Sequence, residues 1–257
     1  MGTVGKAISL LELFTADEPE HRLSDLARKS GFDKATTRRL LVALAKHSLV
    51  EQDAESRRYR LGAGLSRLAR IREAHFPFLK VAVPVARALA AQTGETIHLS
   101  EYGTGALLTV HVELSTRANR VNVDVGQTLP LHATASGIAF LARARPALVD
   151  AFFATPMDAF TRYTVRERAE VMRAAKRAAE RGYSRSDQGF EEGVSSVAAP
   201  IVEADGYAIG TLAIASPLSR INDEIADAHG HAVARAATEI STRLNGETAA
   251  TLAIPAN

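Results

Sequence analysis

Apolar side chains recur every three or four residues in three short stretches near the start of the chain, and this spacing predicts amphipathic helices. The first stretch covers residues 4–14, and its apolar side is formed by Ile8, Leu10, Leu11 and Phe14. The second ends at Gly31, with Ser24 as its expected N-cap. The third begins near Asp33 or Lys34 and extends to about His47. Its inward face is predicted to consist of Thr37, Leu40, Leu41 and Leu44.

The second and third helices are joined by a few residues that contain a glycine, which is the layout of a helix-turn-helix. Gly31 can adopt the left-handed conformation that ends the second helix. Residues 50–53 and 58–61 follow, and they predict two short strands around a polar turn. A hairpin directly after such a motif is a wing. The ordered combination of helix, helix-turn-helix and wing is more specific than any of its parts.

Residues 63–76 predict a connecting helix with Leu65, Leu68 and Ile71 on one side, ended or kinked by Pro77. Beyond it, helices alternate with strand-like segments. Further helices are predicted at residues 78–93, from Ala133 or Thr134 onward, at 167–181 and at 222–244. Strands are predicted at residues 96–102, 107–113, 120–125, 183–187, 194–202 and 207–216, the last two as a hairpin. Helices flanking an antiparallel sheet predict an α+β domain.

Composition excludes several protein classes. Of the 257 residues, 46% are apolar and 23% are charged, as in an ordinary globular protein. The chain has no cysteine, which excludes disulfides, thiol catalysis and cysteine-ligated metals. It has neither a long uninterrupted apolar run nor the order of segments of a secretory signal. Residence in the cytoplasm is therefore expected.

The charge is unevenly distributed along the chain. Residues 1–75 hold 14 Lys and Arg against 10 Asp and Glu, whereas the remainder holds 17 against 19. A basic module followed by a nearly neutral one is typical of a nucleic-acid-binding domain joined to a second domain.

Five segments make the sequence resemble regulators of the IclR family. They are "LSDLARKSGFDKATTRRLLVALAKHSLV", "YRLG", "LPLHATASGIAFLA", "RGYSRSDQGFEEGVSSVAAPI" and "LAIASPLSRI". The resemblance implies a winged helix-turn-helix at residues 1–62, a linker helix at 63–76, and a GAF/PAS-like domain at 77–257 that binds an effector. It also implies a homodimer or homotetramer that acts on double-stranded operator DNA, most often as a repressor of nearby catabolic genes.

The outer face of the third helix is the predicted DNA-reading surface. If its leucines face the core, Lys34, Ala35 and Arg38 lie opposite, with Thr36 and Arg39 on the flanks. Arg38 is the expected reader of guanine, through two parallel donors. Arg39 is expected either to hold a phosphate or to pair with an acidic neighbour. The expected wing contacts, in the minor groove or with the backbone, are Arg57 and Arg58.

The resemblance places the effector in a cleft of the second domain. The implied contacts are Ala135, Ser136, Asp187, Ser196, Ala213 and Ala215. Ser136 lies near the start of a helix, where free N–H groups favour a carboxylate. The sequence departs from some relatives in having Ala213 and Ala215 where they have small polar residues. Fewer polar anchors favour an effector bulkier or less polar than a two-carbon acid.

Two alternatives stay open at this point. His132, Ser136 and Asp187 provide the residue types of a hydrolase, although no Gly-x-Ser-x-Gly motif surrounds Ser136. Winged helices also serve as protein-interaction modules. The basic residues of the third helix and of the wing argue against that role for this chain. No metal or cofactor site is predicted, because His229 and His231 are two residues apart and point to different sides of a helix.

Overall fold

A computed structural model describes residues 1–15, 17–103 and 105–252, the last six of these by their backbone alone. The chain divides into two compact units, residues 1–77 and 78–257. The elements of the first unit are α1 (Thr3–Leu11), α2 (Leu23–Ser30), α3 (Lys34–Lys46), β1 (Val50–Gln52), β2 (Tyr59–Leu61) and α4 (Ala63–His75). The helix-turn-helix, the wing and the connecting helix are thus all present.

The core of the first unit forms between α1, α2, α3 and the wing. The predicted inward face of α3 is confirmed, since Thr37, Leu40, Leu41 and Leu44 are all buried. The three leucines pack with Leu10, Phe14, Leu26, Val50 and Tyr59. Gly31 ends α2 at a φ of 71°, a conformation that costs a glycine little because it has no Cβ. The prediction for this turn is therefore confirmed.

The predicted capping of α2 is wrong. The helix begins at Leu23, so Ser24 lies within its first turn, and the N-cap is Arg22, whose side chain makes no capping hydrogen bond. His21 forms an isolated antiparallel bridge with Tyr59, with N–H···O distances of 2.9 and 2.7 Å. This bridge holds the chain extended up to residue 21, and the helix starts immediately afterwards.

The wing is a two-stranded antiparallel hairpin in which Val50 lies opposite Leu61 and Gln52 opposite Tyr59. The hairpin ends at Gly62, where a Cβ would lie 2.2 Å from the carbonyl oxygen of Ser48, in the turn between α3 and β1. A side chain at this position would push the end of β2 away from that turn. The close approach of backbone to backbone explains why glycine ends the hairpin.

The second unit is a six-stranded antiparallel sheet with helices on both faces. Its elements are α5 (Phe78–Thr93), β3 (Thr96–Gly103), β4 (Ala106–Glu113), β5 (Thr128–Leu129), α6 (Ala135–Leu141), α7 (Pro146–Phe153), α8 (Arg168–Arg181), β6 (Ser184–Asp187), β7 (Val194–Val202), β8 (Ala208–Pro217) and α9 (Asp223–Leu252). The strand order is β5-β4-β3-β8-β7-β6. The α+β prediction is confirmed.

The two faces of this sheet differ in polarity. On one face, Ile97 and Leu99 of β3 join the large apolar core formed with α5 and α9. The alternate residues Thr96, His98 and Ser100 point to the other face, because successive side chains of a strand alternate. That second face is covered by α6. It is therefore buried but partly polar.

The structure differs from the sequence prediction in three segments. Residues 120–125, predicted as a strand, are irregular. The carbonyl of Val121 accepts a hydrogen bond from the hydroxyl of Thr96 at 2.8 Å, so a side chain takes the place of a strand partner. The helix α7 was not predicted, and α9 continues past the predicted end at residue 244 to Leu252.

Within the described residues, no single helix combines the length and the apolar composition of a membrane span, although α4 and α5 taken together meet that test.

Candidate nucleic-acid interface and small-molecule cleft

The outer face of α3 forms a shallow groove. It is lined by Leu23, Lys34, Ala35, Arg38, Arg39 and Val42. Four of these residues belong to the predicted DNA-reading set, so the structure brings Lys34, Ala35, Arg38 and Arg39 together on one surface. Leu23, which the sequence pattern did not single out, contributes an apolar edge from α2. Thr36 is half-buried beside the groove.

The first turn of α3 is held by its N-cap. The Asp33 carboxylate accepts a hydrogen bond from the backbone N–H of Thr36 at 2.8 Å. This bond lowers the pKa of Asp33, because it stabilises the ionised form. The cap fixes the first turn and with it the positions from which Lys34 and Ala35 project.

The cations of this groove have no acidic partner within the described part of the chain. Arg38 and Arg39 are exposed and form no ion pair there, so the acidic neighbour considered for Arg39 is not found. By contrast, Arg28 on α2 pairs with Asp25 at 3.3 Å, and Lys29 pairs with Glu18. Unneutralised positive charge therefore concentrates on the outer face of α3.

The wing tip presents its two arginines differently. Arg57 is exposed and has a φ of 57°, which is unusual for a residue other than glycine. This turn is held by Asp53, whose carboxylate accepts from Ser56 N at 2.7 Å, and by Gln52, whose side chain donates to Arg57 O at 3.0 Å. Arg58 is half-buried and lines another groove, beside Glu18 and Asp25. The structure thus does not bring Arg58 onto the surface of Arg57.

The second unit contains a cleft of about 530 Å³, its mouth included. It is lined by His98, Val121, Asn122, Val123, Gln127, Leu129, Ala133, Thr134, Ala135, Ser136, Ser186, Gln188, Gly189, Phe190, Glu191, Val194, Ser196 and Ala215. The sheet supplies the floor, and the start of α6 supplies one side.

Side-chain hydrogen bonds hold the two irregular walls of the cleft. On the 121–127 wall, Thr96 donates to Val121 O, and Arg220 donates to the neighbouring Asn119 O at 2.6 Å. On the 186–191 wall, the hydroxyls of Thr161 and Thr164 donate to Gln188 O and Gly189 O at 2.6 and 2.7 Å. Both walls are positioned by contacts with residues distant in sequence.

Four of the six predicted effector contacts line this cleft: Ala135, Ser136, Ser196 and Ala215. The other two lie elsewhere, which corrects their predicted position. Asp187 is paired with Ser195 and therefore points away from the face that carries Ser196. Its carboxylate accepts from the hydroxyl of Ser195 at 2.6 Å and pairs with Arg185.

Ala213 is the second corrected position. It is fully buried and packs with Ala135, Ala139 and Ala198, where α6 lies directly on the sheet. Small side chains permit this close approach of helix and strands, but they leave no space for a ligand at residue 213.

Sequence reasoning missed several polar residues of the cleft. His98 forms part of the floor, while Asn122, Gln127 and Gln188 come from the walls. A histidine between Ile97 and Leu99, inside a predicted strand, was an available signal for His98. The wall residues carried no such signal, because their segments have no regular pattern.

His98 is buried without a hydrogen bond at one of its ring nitrogens. The side chain is 6% exposed, and its Nδ1 has no partner among the described residues. Burial lowers the pKa of His98 from 6.5 to about 4, because the charged imidazolium loses its hydration. The ring is therefore neutral at physiological pH.

The hydrolase residues do not form a catalytic arrangement. His132 bonds through Nε2 to the carbonyl oxygen of Asp158 at 2.8 Å, and the Asp187 carboxylate is bound by Ser195 and Arg185. A triad requires the histidine to bond both the serine and the acid. His132 and Asp187 are each held by other groups instead, and neither bonds Ser136.

Comparison with protein families gives two matches that together cover most of the chain. The model described as bacterial transcriptional regulator IclR C-terminal matches residues 74–242, and the IclR helix-turn-helix domain matches residues 3–54. The transcriptional repressor IclR of Escherichia coli K12 is 26% identical over 245 residues, which is 94% of this chain and 89% of that protein.

Solved structures show the same similarity. A structure assigned to the IclR transcriptional regulators, from Silicibacter sp. TM1040, is 38% identical and has a TM-score of 0.79, covering 95% of this chain and 96% of that one. An IclR homolog of Microbacterium hydrocarbonoxydans in complex with 4-hydroxybenzoate has a TM-score of 0.82 over 95% of this chain and 100% of its own. At 22% identity, this second likeness concerns the fold alone.

Proposed function

The chain belongs to the IclR family of bacterial transcriptional regulators, and from that premise we propose that it is a repressor of a catabolic operon controlled by a small organic acid. That it is a DNA-binding regulator with a C-terminal effector domain, and not an enzyme, follows from the family. The operator contacts, the effector, the operon and the assembly are our proposals. It acts in the cytoplasm, where bacterial DNA lies.

One observation carries the DNA-binding face: the exposed cations on α3 have no acidic partner in the described chain. An α-helix fits the major groove, and the first residues of a recognition helix reach the base edges. Arg38 reads guanine, while Lys34 and Arg39 hold phosphates. The remaining contacts are assigned to Ala35 and Thr36 on α3 and to Arg57 at the wing tip.

A gel-shift titration with the DNA adjacent to the gene tests this proposal. Binding should weaken steeply as salt is added, because every phosphate contact releases counterions, with a log–log slope of about −0.9 per contact. Binding that is insensitive to salt, or that is equal on unrelated DNA, would contradict sequence-specific recognition by this face.

We place the effector in the cleft between α6 and the sheet. Neutral donors, including Asn122, Gln127 and Ser136, line this cleft, and hydrogen bonds to an ionised acceptor are the stronger kind. The 4-hydroxybenzoate complex of the Microbacterium homolog indicates that this fold can hold an organic acid. Effector and operator affinities change by the same factor, because coupling between two sites is reciprocal.

Replacement of Ser196 by tyrosine should block the effector without affecting DNA binding. Ser196 is half-buried in the cleft floor, so the added ring would occupy the ligand's volume. A carboxylic acid at about 100 times its Kd should raise the Tm of the wild-type protein by about 5 °C or more. We expect the acid to leave the Tm of Ser196→Tyr unchanged. In Thr238→Tyr, which adds the same ring to an exposed position on α9, it should raise the Tm as much as in the wild-type protein. Equal shifts in both variants would place the ligand elsewhere.

We propose that α4 contributes to a homo-oligomer interface. Leu68 and Ile71 lie one turn apart and are 47% and 51% exposed, an apolar stripe that a second copy would cover. Two copies would place two α3 helices in successive major grooves of a palindromic site, with half-sites one helical turn or a multiple of it apart.

Ile71→Glu should weaken self-association about 100-fold, because the interface would then bury an unpaired carboxylate. Ser66→Glu is the matched control, since it adds the same charge to the opposite, exposed side of α4. Sedimentation velocity of the full chain distinguishes the outcomes. An unchanged association state in the Ile71 variant would exclude this stripe from the interface.

A further inference from the structure

Val42 is an apolar residue of α3 that the packing of the first unit does not explain. Its side chain is 48% exposed and lies outside the apolar core described for α1, α2, α3 and the wing. A β-branched side chain loses rotamer freedom in a helix, so valine is a poorer helix former than alanine or leucine. Val42 therefore neither fills that core nor favours the helix, and the stability of the fold does not account for it.

Val42 extends the line of residues that forms the DNA-reading face. Ala35, Arg38, Arg39 and Val42 follow one another at spacings that place them on one side of a helix, and all four line the same groove. A recognition helix that lies in the major groove reads bases with residues at this spacing. A duplex in contact with Arg38 is thus within reach of Val42 as well.

The groove combines positive charge with apolar surface. Lys34, Arg38 and Arg39 supply its cations, whereas Leu23, Ala35 and Val42 supply aliphatic side chains. Aliphatic groups form no hydrogen bond with a base edge, but the 5-methyl group of thymine projects into the major groove and is apolar. An apolar protein surface would suit the groove less well, because it would bury cations that have no acidic partner in the described chain.

We propose that Val42 is a specificity-determining residue that contacts the 5-methyl group of a thymine in the operator half-site. This inference rests on the proposed DNA-binding face of α3. Val42 lies four residues beyond Arg38, which is about 6 Å along the helix axis. Since successive base pairs are about 3.4 Å apart, the thymine is expected within about two base pairs of the guanine that Arg38 reads.

Replacement of thymine by deoxyuridine tests this contact, because it removes the methyl group and keeps the hydrogen-bonding groups of the base. Footprinting with the full chain first locates the operator in the DNA adjacent to the gene. Each thymine of the footprint is then replaced in turn, and the affinity is measured by gel-shift titration. Burial of one such group contributes about fourfold in affinity, so the thymine near the guanine should show about a fourfold loss in one half-site and about fifteenfold in both.

Two variants assign this effect to Val42. Val42→Ala should bind the thymine and deoxyuridine duplexes with equal affinity, because the shortened side chain no longer reaches the methyl group. Its Tm should not fall, since the position is exposed and alanine is the better helix former. Val165→Ala is the matched control, because it makes the same truncation at a 39% exposed valine of the second unit. It should retain the wild-type preference for thymine.

The outcomes distinguish this inference from the proposal on which it rests. If the full chain binds the adjacent DNA no better than unrelated DNA, the DNA-binding face itself is rejected, and the role of Val42 with it. If specific binding is found but every single deoxyuridine lowers affinity less than twofold, Val42 reads no methyl group, while the face around Arg38 stands. The same conclusion follows if the preference for thymine persists in Val42→Ala, or if it is lost equally in Val165→Ala.

Discussion

Replacement of Arg38 by alanine will lower operator affinity at least 30-fold and leave the fold intact. A bidentate arginine–guanine contact contributes about 1–3 kcal/mol, and a dimer loses two of them, which gives a total of about 2–6 kcal/mol. The fold should not change, because the side chain is exposed and forms no ion pair with any residue that the structure describes. Gel shift measures the affinity, and the Tm measures the integrity of the protein.

Two further variants identify what kind of contact is lost. Arg38→Lys keeps the charge but not the planar pair of donors, so it should retain non-specific binding while losing preference for the operator. Arg28→Ala removes an equal charge from α2, where that arginine is already paired with Asp25, and should bind almost normally. If Arg38→Ala and Arg28→Ala weaken binding equally, the effect is one of net charge, and α3 does not read the sequence through Arg38.

Acidification from pH 7.5 to pH 5 will reduce the free energy of unfolding by about 2 kcal/mol through His98 alone. In the folded protein, burial lowers the pKa of His98 to about 4, whereas in the unfolded chain the ring titrates near 6.5. Between these values the unfolded state binds more protons, so stability falls as the pH decreases. Above about pH 7 the ring is neutral in both states, so the titration of His98 no longer lowers the free energy of unfolding.

Urea denaturation of the wild-type protein and of His98→Asn at several pH values measures this contribution. Asparagine does not titrate, so the difference in stability between the two proteins should change by about 2 kcal/mol over this range. The pKa of His229 is also lowered by burial, but His229 is present in both proteins and cancels. Parallel curves for the two proteins between pH 7.5 and pH 5 would show that His98 is not buried as a neutral ring.

The DNA-binding unit was predictable because its determinants are local. The spacing of Leu40, Leu41 and Leu44 identifies the inner face of α3, and the positions of Lys34 and Arg38 on the outer face follow from 3.6 residues per turn. Gly31 marks the turn because few other residues adopt its conformation. The incorrect N-cap at Ser24 has a tertiary cause, since the bridge between His21 and Tyr59 determines where α2 begins.

The cleft was predictable only in part, and its errors have a common origin. Asp187 was assigned to the site by resemblance, yet a strand turns each successive side chain to the other face, and the pairing with Ser195 directs Asp187 outward. The segment around Val121 has enough apolar character for a strand. Its carbonyl instead accepts a hydrogen bond from Thr96, which is 25 residues away in the sequence.

The order of apolar and polar residues was thus sufficient for the helix-turn-helix, the wing, the α+β class and the basic outer face of α3, since each depends on neighbours within a few turns of the chain. The lining of the cleft, the outward direction of Asp187 and the unpaired nitrogen of His98 depend on strand register and on contacts between distant segments. Such contacts have no periodic trace in the sequence, because they form only when β3, α6 and the irregular walls assemble around one cavity.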